Sequence, residues 1–231
     1  MPRRSRSILT GTLATCGLAL GLVAAASPAA GASTVGVRAP QVTGWYGYVD
    51  TNSSGNTYSQ ASGQWAVPAA SCTATASELA LWVGIDGFTS STVEQAGTLT
   101  DCSGGTPTYF TWWEMFPGSV HIVGDTVHPG DKITTSVTKS GTTYTLKVTD
   151  ATTAANSFSV KESCSACTDT SAEWIAEPSA AYPPASIHWK LTNATVKSGS
   201  ITGVIATFPH VSSGAPLTSP LNSAGNSFTV T

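Results

Sequence analysis

Charge is scarce in this sequence. Only 10% of its 231 residues are Asp, Glu, Lys or Arg, against about a quarter in an average globular domain. No block of like charge occurs and the formal net charge is −3, so a nucleic-acid backbone would find no basic patch to bind. No G-X-Y period marks a collagen, and Leu, Glu and Lys are too few for a coiled coil. Histidine is limited to His121, His128, His188 and His210, none of them in an H-E-x-x-H or beside a C-x-x-C. His188 falls within an alternating stretch and reads as structural. No G-x-S-x-G elbow, no P-loop, no G-x-G-x-x-G before a helix and no D-T-G or D-S-G pair is present. A Ser-His-Asp triad has no fixed chain order, but nothing points to one. Neither a metal nor a cofactor is expected.

What is present begins with a leader. Arg3, Arg4 and Arg6 precede an apolar run from Ile8 to about Ala26, and Ala30-Gly31-Ala32 stands before Ser33. Basic, apolar and A-x-A segments in that order read as a secretory signal peptide over residues 1–32. A membrane anchor is the rival reading, but the run is broken by Gly and Thr and is short for a span. A short extension, 33–43, then leads to one domain, 44–231. No later segment reads as a membrane span and no surface patch marks a dimer, so a secreted monomer is expected. Without the leader, seven basic residues face 13 acidic ones. Four cysteines remain, and an even count in a secreted chain implies two disulfides with three possible pairings. Cys72–Cys102 and Cys164–Cys167 is the pairing favoured. A redox or zinc role for Cys164-Ser-Ala-Cys167 lacks the second Cys or His pair that zinc needs. Asn52 and Asn193 stand in glycosylation sequons.

The 41% apolar content argues against disorder, and the 65 Ser and Thr residues set its style. Beyond residue 40 the chain alternates with period two, punctuated by Gly, Asn, Ser and Pro. The expected strands are Gly44–Val49, Tyr58–Val67, Leu79–Asp86, Thr92–Thr98, Tyr109–Phe116, Lys132–Lys139, Thr142–Thr149, Ser157–Lys161, Ala172–Glu177, Ser186–Asn193 and Ile201–Phe208. Lys139-Ser140-Gly141-Thr142 reads as a hairpin turn. No amphipathic helix longer than two turns is expected. The fold class is therefore all-β, an antiparallel sandwich or barrel.

Alternation also sorts side chains by face. Leu81, Val83 and Ile85 read as core, while Trp82, Gly84 and Asp86 read as a wet, aromatic, acidic face. Glu114 shares a face with Phe110, Trp112 and Phe116. Glu173 and Glu177 share a face opposite Trp174. Gln95 faces with Val93 and Gly97, and Glu94 points away. A concave sheet face with carboxyl and aromatic groups suits an extended polymer, peptide or sugar. Three readings fit the residues: a peptidase using a Glu as general base, a glycoside hydrolase using two of Glu114, Glu173 and Glu177, and a non-catalytic binding module.

Four motifs in order then resemble the glutamic peptidases, or eqolisins: Trp82-Val83-Gly84-Ile85-Asp86-Gly87, Val93-Glu94-Gln95-Ala96-Gly97, Trp112-Trp113-Glu114-Met115-Phe116-Pro117 and Ala172-Glu173-Trp174-Ile175-Ala176-Glu177. Trp45 resembles the family's early Trp. The resemblance implies a lectin- or glucanase-like sandwich of two seven-stranded antiparallel sheets acting on protein or peptide substrates at acid pH, insensitive to pepstatin. It implies a catalytic pair, Gln95 and Glu177, with Trp45, Trp82, Asp86, Glu114 and Glu173 supporting the dyad and the substrate cleft. Strand spacing alone does not choose Glu177 over Glu173. Thr98, Leu99 and Thr100 stand where fungal members carry acids, and Phe110 where they carry Asp, so substrate preference does not carry over.

Overall fold

The computed structural model describes residues 43–51, 55, 57–73 and 75–231. The signal peptide, the extension up to residue 42 and the Asn52 sequon lie outside them. Among the described residues, fourteen strands form two seven-stranded antiparallel sheets. In chain order they are β1 (Tyr46–Thr51), β2 (Tyr58–Ala66), β3 (Glu78–Ile85), β4 (Val93–Asp101), β5 (Thr108–Phe116), β6 (His121–Ile122), β7 (Lys132–Ser140), β8 (Thr143–Asp150), β9 (Phe158–Ser163), β10 (Ser171–Pro178), β11 (Trp189–Ser198), β12 (Ile201–Gly203), β13 (His210–Ser213) and β14 (Phe228–Val230). The first sheet runs β13-β1-β10-β3-β4-β5-β6. The second runs β12-β11-β2-β7-β8-β9, with β14 paired to β11.

The main core lies between the sheets. Leu79, Leu81, Val83 and Ile85 of β3 meet Trp174 and Ala176 of β10, Val137 of β7, Leu146 of β8 and Trp189 of β11 there. The period-two pattern makes this possible by placing alternate side chains of each strand inward. The β7–β8 hairpin closes through Gly141-Thr142 between the paired Ser140 and Thr143, and Gly141 takes φ +61°, as such a turn requires. Both disulfides form as favoured, Cys72–Cys102 and Cys164–Cys167.

Three details depart from the sequence reading. The stretch Ser186–Asn193 is a strand only from Trp189, and β11 continues to Ser198. Pro183 and Pro184 force a 3-10 turn at Pro184–Ser186 first, because proline has no N–H for a ladder. His188 precedes that strand and is exposed, so it holds no place in the core. Ile201–Phe208 breaks into β12 and a 3-10 turn at Ile205–Thr207.

The first sheet also carries a second, smaller apolar cluster on its outer face, built from Trp45, Val49, Ala80, Trp82, Val93, Leu99, Trp112, Val120 and Ile175. The face read as wet is therefore largely covered. Trp82 and Asp86 are both fully buried.

Candidate active site

The strand register lays three rows of side chains across this outer face. One row is Val49, Glu173, Gly84, Gln95 and Glu114. The next is Gly47, Ile175, Trp82, Gly97 and Trp112. The third is Glu177, Ala80, Leu99 and Phe110. Residues without large side chains, Gly84, Gly97 and Ala80, sit on the middle strands β3 and β4. Their smallness makes the face concave. A cleft opens there, lined by Trp45, Ala80, Trp82, Gly87, Ser90, Ser91, Val93, Gln95, Trp112, Glu114, Phe116, Val120 and Glu177.

Trp82 organises the floor. Its indole N–H donates to Glu177 Oε2 at 3.1 Å. The far edge of the same ring lies over Gly84, where an added Cβ would meet it at 2.8 Å. The ring thus runs lengthwise along the sheet from the Glu177 row to the row that holds Glu173 and Gln95. Trp45 braces it edge-on, with ring centroids 4.9 Å apart at 81°. Burial raises the Glu177 pKa above the usual carboxylate value, and the N–H groups of Trp82 and Trp45 pull it back.

Gln95 and Glu114 face each other across β4 and β5. Gln95 Nε2 donates to Glu114 Oε2 at 2.8 Å. Both residues are buried. Burial pushes the Glu114 carboxyl up to about 7; the Gln95 N–H lowers it and the nearby Glu177 charge raises it further. Gln95 Oε1 and the Trp112 indole N–H are buried in the same cleft wall without a partner among the described residues.

Two expected site residues lie elsewhere. Glu173 shares the outer face with Glu177 but is fully buried and does not line the cleft. Desolvation raises its pKa well above normal; the Ser171 hydroxyl beside it opposes this, and Asp86, Glu94 and Asp50 add to it. Burial thus favours its protonated form. Asp86 directly follows β3 with φ +68°. Its carboxylate accepts the backbone N–H groups of Thr168, Asp169 and Thr170, each at 2.8 Å, and the Thr168 hydroxyl at 2.9 Å. It anchors the loop that leads into β10. Glu94 points inward as read, and one of its oxygens lies 2.8 Å from the Cys167 sulfur.

The cleft also holds residues that the sequence did not single out. Trp112 and Phe116 share Glu114's face, so alternation carried that signal. Gly87, Ser90 and Ser91 come from the β3–β4 loop and Val120 from the segment before β6, where no periodicity marks them. Among the described residues, the carboxylates that line the cleft are Glu114 and Glu177.

Residues 43–231 match the sequence model of the Peptidase A4 family. Solved structures of similar chains include scytalido-glutamic peptidase with a transition state analog inhibitor, at 23% identity and a TM-score of 0.64 over 82% of this chain and 98% of that one. SCP-B, a member of the eqolisin family, in complex with the tripeptide Ala-Ile-His, is 21% identical with a TM-score of 0.59 over 82% and 98%. Aspergilloglutamic peptidase from Aspergillus niger is 26% identical with a TM-score of 0.55 over 67% and 98%. No curated protein matches the chain.

Proposed function

Because the chain belongs to the peptidase A4 family, the glutamic peptidases, we propose that it is a secreted acid endopeptidase whose working pair is Glu177 and Gln95. The observation that carries the assignment is the separation of the two candidate glutamates. Glu177 lines the same cleft as Gln95 and Trp82, while Glu173 is fully buried outside it.

In this mechanism the Glu177 carboxylate takes a proton from a water placed between it and the scissile carbonyl. The water oxygen bonds to the carbonyl carbon, and Gln95 donates an N–H to the resulting oxyanion. Glu177 then passes its proton to the leaving amine as the C–N bond breaks. Such a donor supplies roughly 10²–10³ in rate, and a positioned general base about 10²–10⁴. The base must be ionised, so activity falls as pH drops through the Glu177 pKa. That limb lies above the usual carboxylate value of about 4.3, because burial raises the group. The Trp45, Trp82 and Trp112 rings give a largely apolar cleft for an extended peptide. A site built on Glu177 and Gln95 lacks the aspartate pair that binds the pepstatin hydroxyl, so insensitivity is expected. The leader over residues 1–32, two disulfides and a monomeric domain from residue 44 complete the proposed extracellular form. Among the described residues no helix is long and apolar enough to cross a membrane.

Casein hydrolysis by the secreted protein from about pH 2 to 8, with pepstatin present, tests the reading. Glu177→Gln is expected to abolish activity with the fold intact, and Glu173→Gln to retain it. Equal activity in Glu177→Gln and the wild type would overturn the assignment.

A further inference from the structure

The Gln95 amide is turned with its nitrogen toward Glu114. Its Nε2 is held on Glu114 Oε2 at 2.8 Å, and its Oε1 is buried with no partner among the described residues. An ionised carboxylate only accepts hydrogen bonds. It therefore holds the amide by its N–H and leaves the carbonyl oxygen as the orphan. An oxyanion forming beside that oxygen would be repelled, and the Glu114 charge would repel it again. A protonated carboxyl reverses the geometry. Its O–H has Gln95 Oε1 as acceptor once the amide turns by half a rotation about its last side-chain bond, and the NH₂ group then occupies the place of the orphaned oxygen.

We infer that Glu114 acts as a positioning residue in its acid form, donating to Gln95 Oε1 so that the Gln95 amide offers its N–H groups to the substrate. The inference rests on Gln95 being the oxyanion donor. The surroundings of Glu114 favour the neutral form. Glu177 on β10 is the acidic group felt across the cleft. Gln95 on β4 is neutral, and Gly84 on β3 brings no side chain. Glu173, in the same row on β10, has its pKa raised well above normal by burial, which favours its protonated form. His121 on β6 stacks on Trp113 at 3.9 Å, and Trp113 points to the other face of β5. With Glu114 pushed up to about 7, the turned amide persists through the acid range and is lost as pH rises past neutrality. Glu114 thus sets the alkaline limb of activity, and Glu177 the acid limb.

The test has two arms. In the first, the side-chain amide resonances of Gln95 are followed by NMR without substrate, assigned by their loss in Gln95→Ala. They are expected to shift through the Glu114 titration in the wild type and to stay flat in Glu114→Gln. A wild-type Gln95 amide that does not respond to pH overturns the inference whatever the catalytic assay shows. In the second, kcat/KM for a peptide is measured against pH. Glu114→Gln keeps a neutral donor, and is expected to hold activity within about tenfold at the acid optimum while losing the alkaline limb. Glu114→Ala, with no donor, is expected to lose about 10²-fold at every pH. An alkaline limb unchanged in Glu114→Gln, or a folded Glu114→Gln as inactive as Glu114→Ala, would also overturn it. Full activity in Gln95→Ala would instead refute the oxyanion role of Gln95, and the NMR arm still decides what Glu114 does to the amide.

Discussion

A methyl group at Gly84 would sit 2.8 Å from the Trp82 ring and 3.2 Å from the Glu94 carbonyl oxygen. The strand backbone is fixed by two register partners, so the ring has to yield. Its other end holds Glu177. Gly84→Ala is therefore expected to displace the base indirectly and to lower kcat by about tenfold to a hundredfold with little change in Tm, since misplacing a catalytic group by about an ångström costs on that order. Steady-state kinetics beside a thermal melt would check it, and a variant with wild-type kcat would refute the bracing role of Trp82. At this scale the sequence was legible to a point. Alternation put Glu114, Gln95 and both glutamates of β10 on one face. It carried no information about depth: Glu173 is fully buried and Glu177 lines the cleft. That difference comes from side chains far apart in sequence.

At the scale of elements, the loop 168–170 and strand β10 depend on Asp86. Three backbone N–H groups converge on one carboxylate, and a charge-assisted bond of this kind contributes about 1.5–3 kcal/mol. Asp86→Ala is expected to cost about 3 kcal/mol, or roughly 10 °C in Tm for a domain of this size. It is also expected to lower activity, because β10 carries Glu177. A calorimetric Tm within about 2 °C of the wild type would show that the loop is held by other means. The long strands were readable from their period, and each of the eleven expected strands overlaps an observed one. The three that went unread, β6, β13 and β14, have two to four residues, too few to show a period. The first sheet misled in another way. Its strands bury both faces, between the sheets and under the cleft-side aromatics, so apolar and polar positions alternate without separating dry from wet.

At the scale of the molecule, the distribution of charge is lopsided. The strands of the first sheet carry acids at Asp50, Glu78, Glu94, Asp101, Glu114, Glu173 and Glu177 and not one Lys or Arg. Burial without an opposing cation pushes Asp50 up to about 9 and Glu94 to about 8, the latter helped by Asp86 and Asp169, and holds Glu173 well above normal. In the unfolded chain these groups titrate near 4. The folded state therefore binds more protons than the unfolded one between those values, and stability falls as pH rises. It is fully present below about pH 4 and drains away up to about pH 9. Asp150 works the other way: burial raises it, but the Asn156 side chain and the Thr153 and Thr152 N–H groups outweigh that and lower it, so it loses stability only in strong acid. Scanning calorimetry is expected to show Tm falling steadily from about pH 4 to 9, with a shallower slope in Asp50→Asn. A Tm that climbs over that range would refute the account. The complementary half of the lopsidedness concerns handling. All six lysines, Lys132, Lys139, Lys147, Lys161, Lys190 and Lys197, lie on strands of the second sheet, and the cleft opens on the outer face of the first. Coupling to a solid support through lysine amines therefore attaches the domain by its back, so that molecules immobilised in this way present their clefts to the solution rather than to the resin.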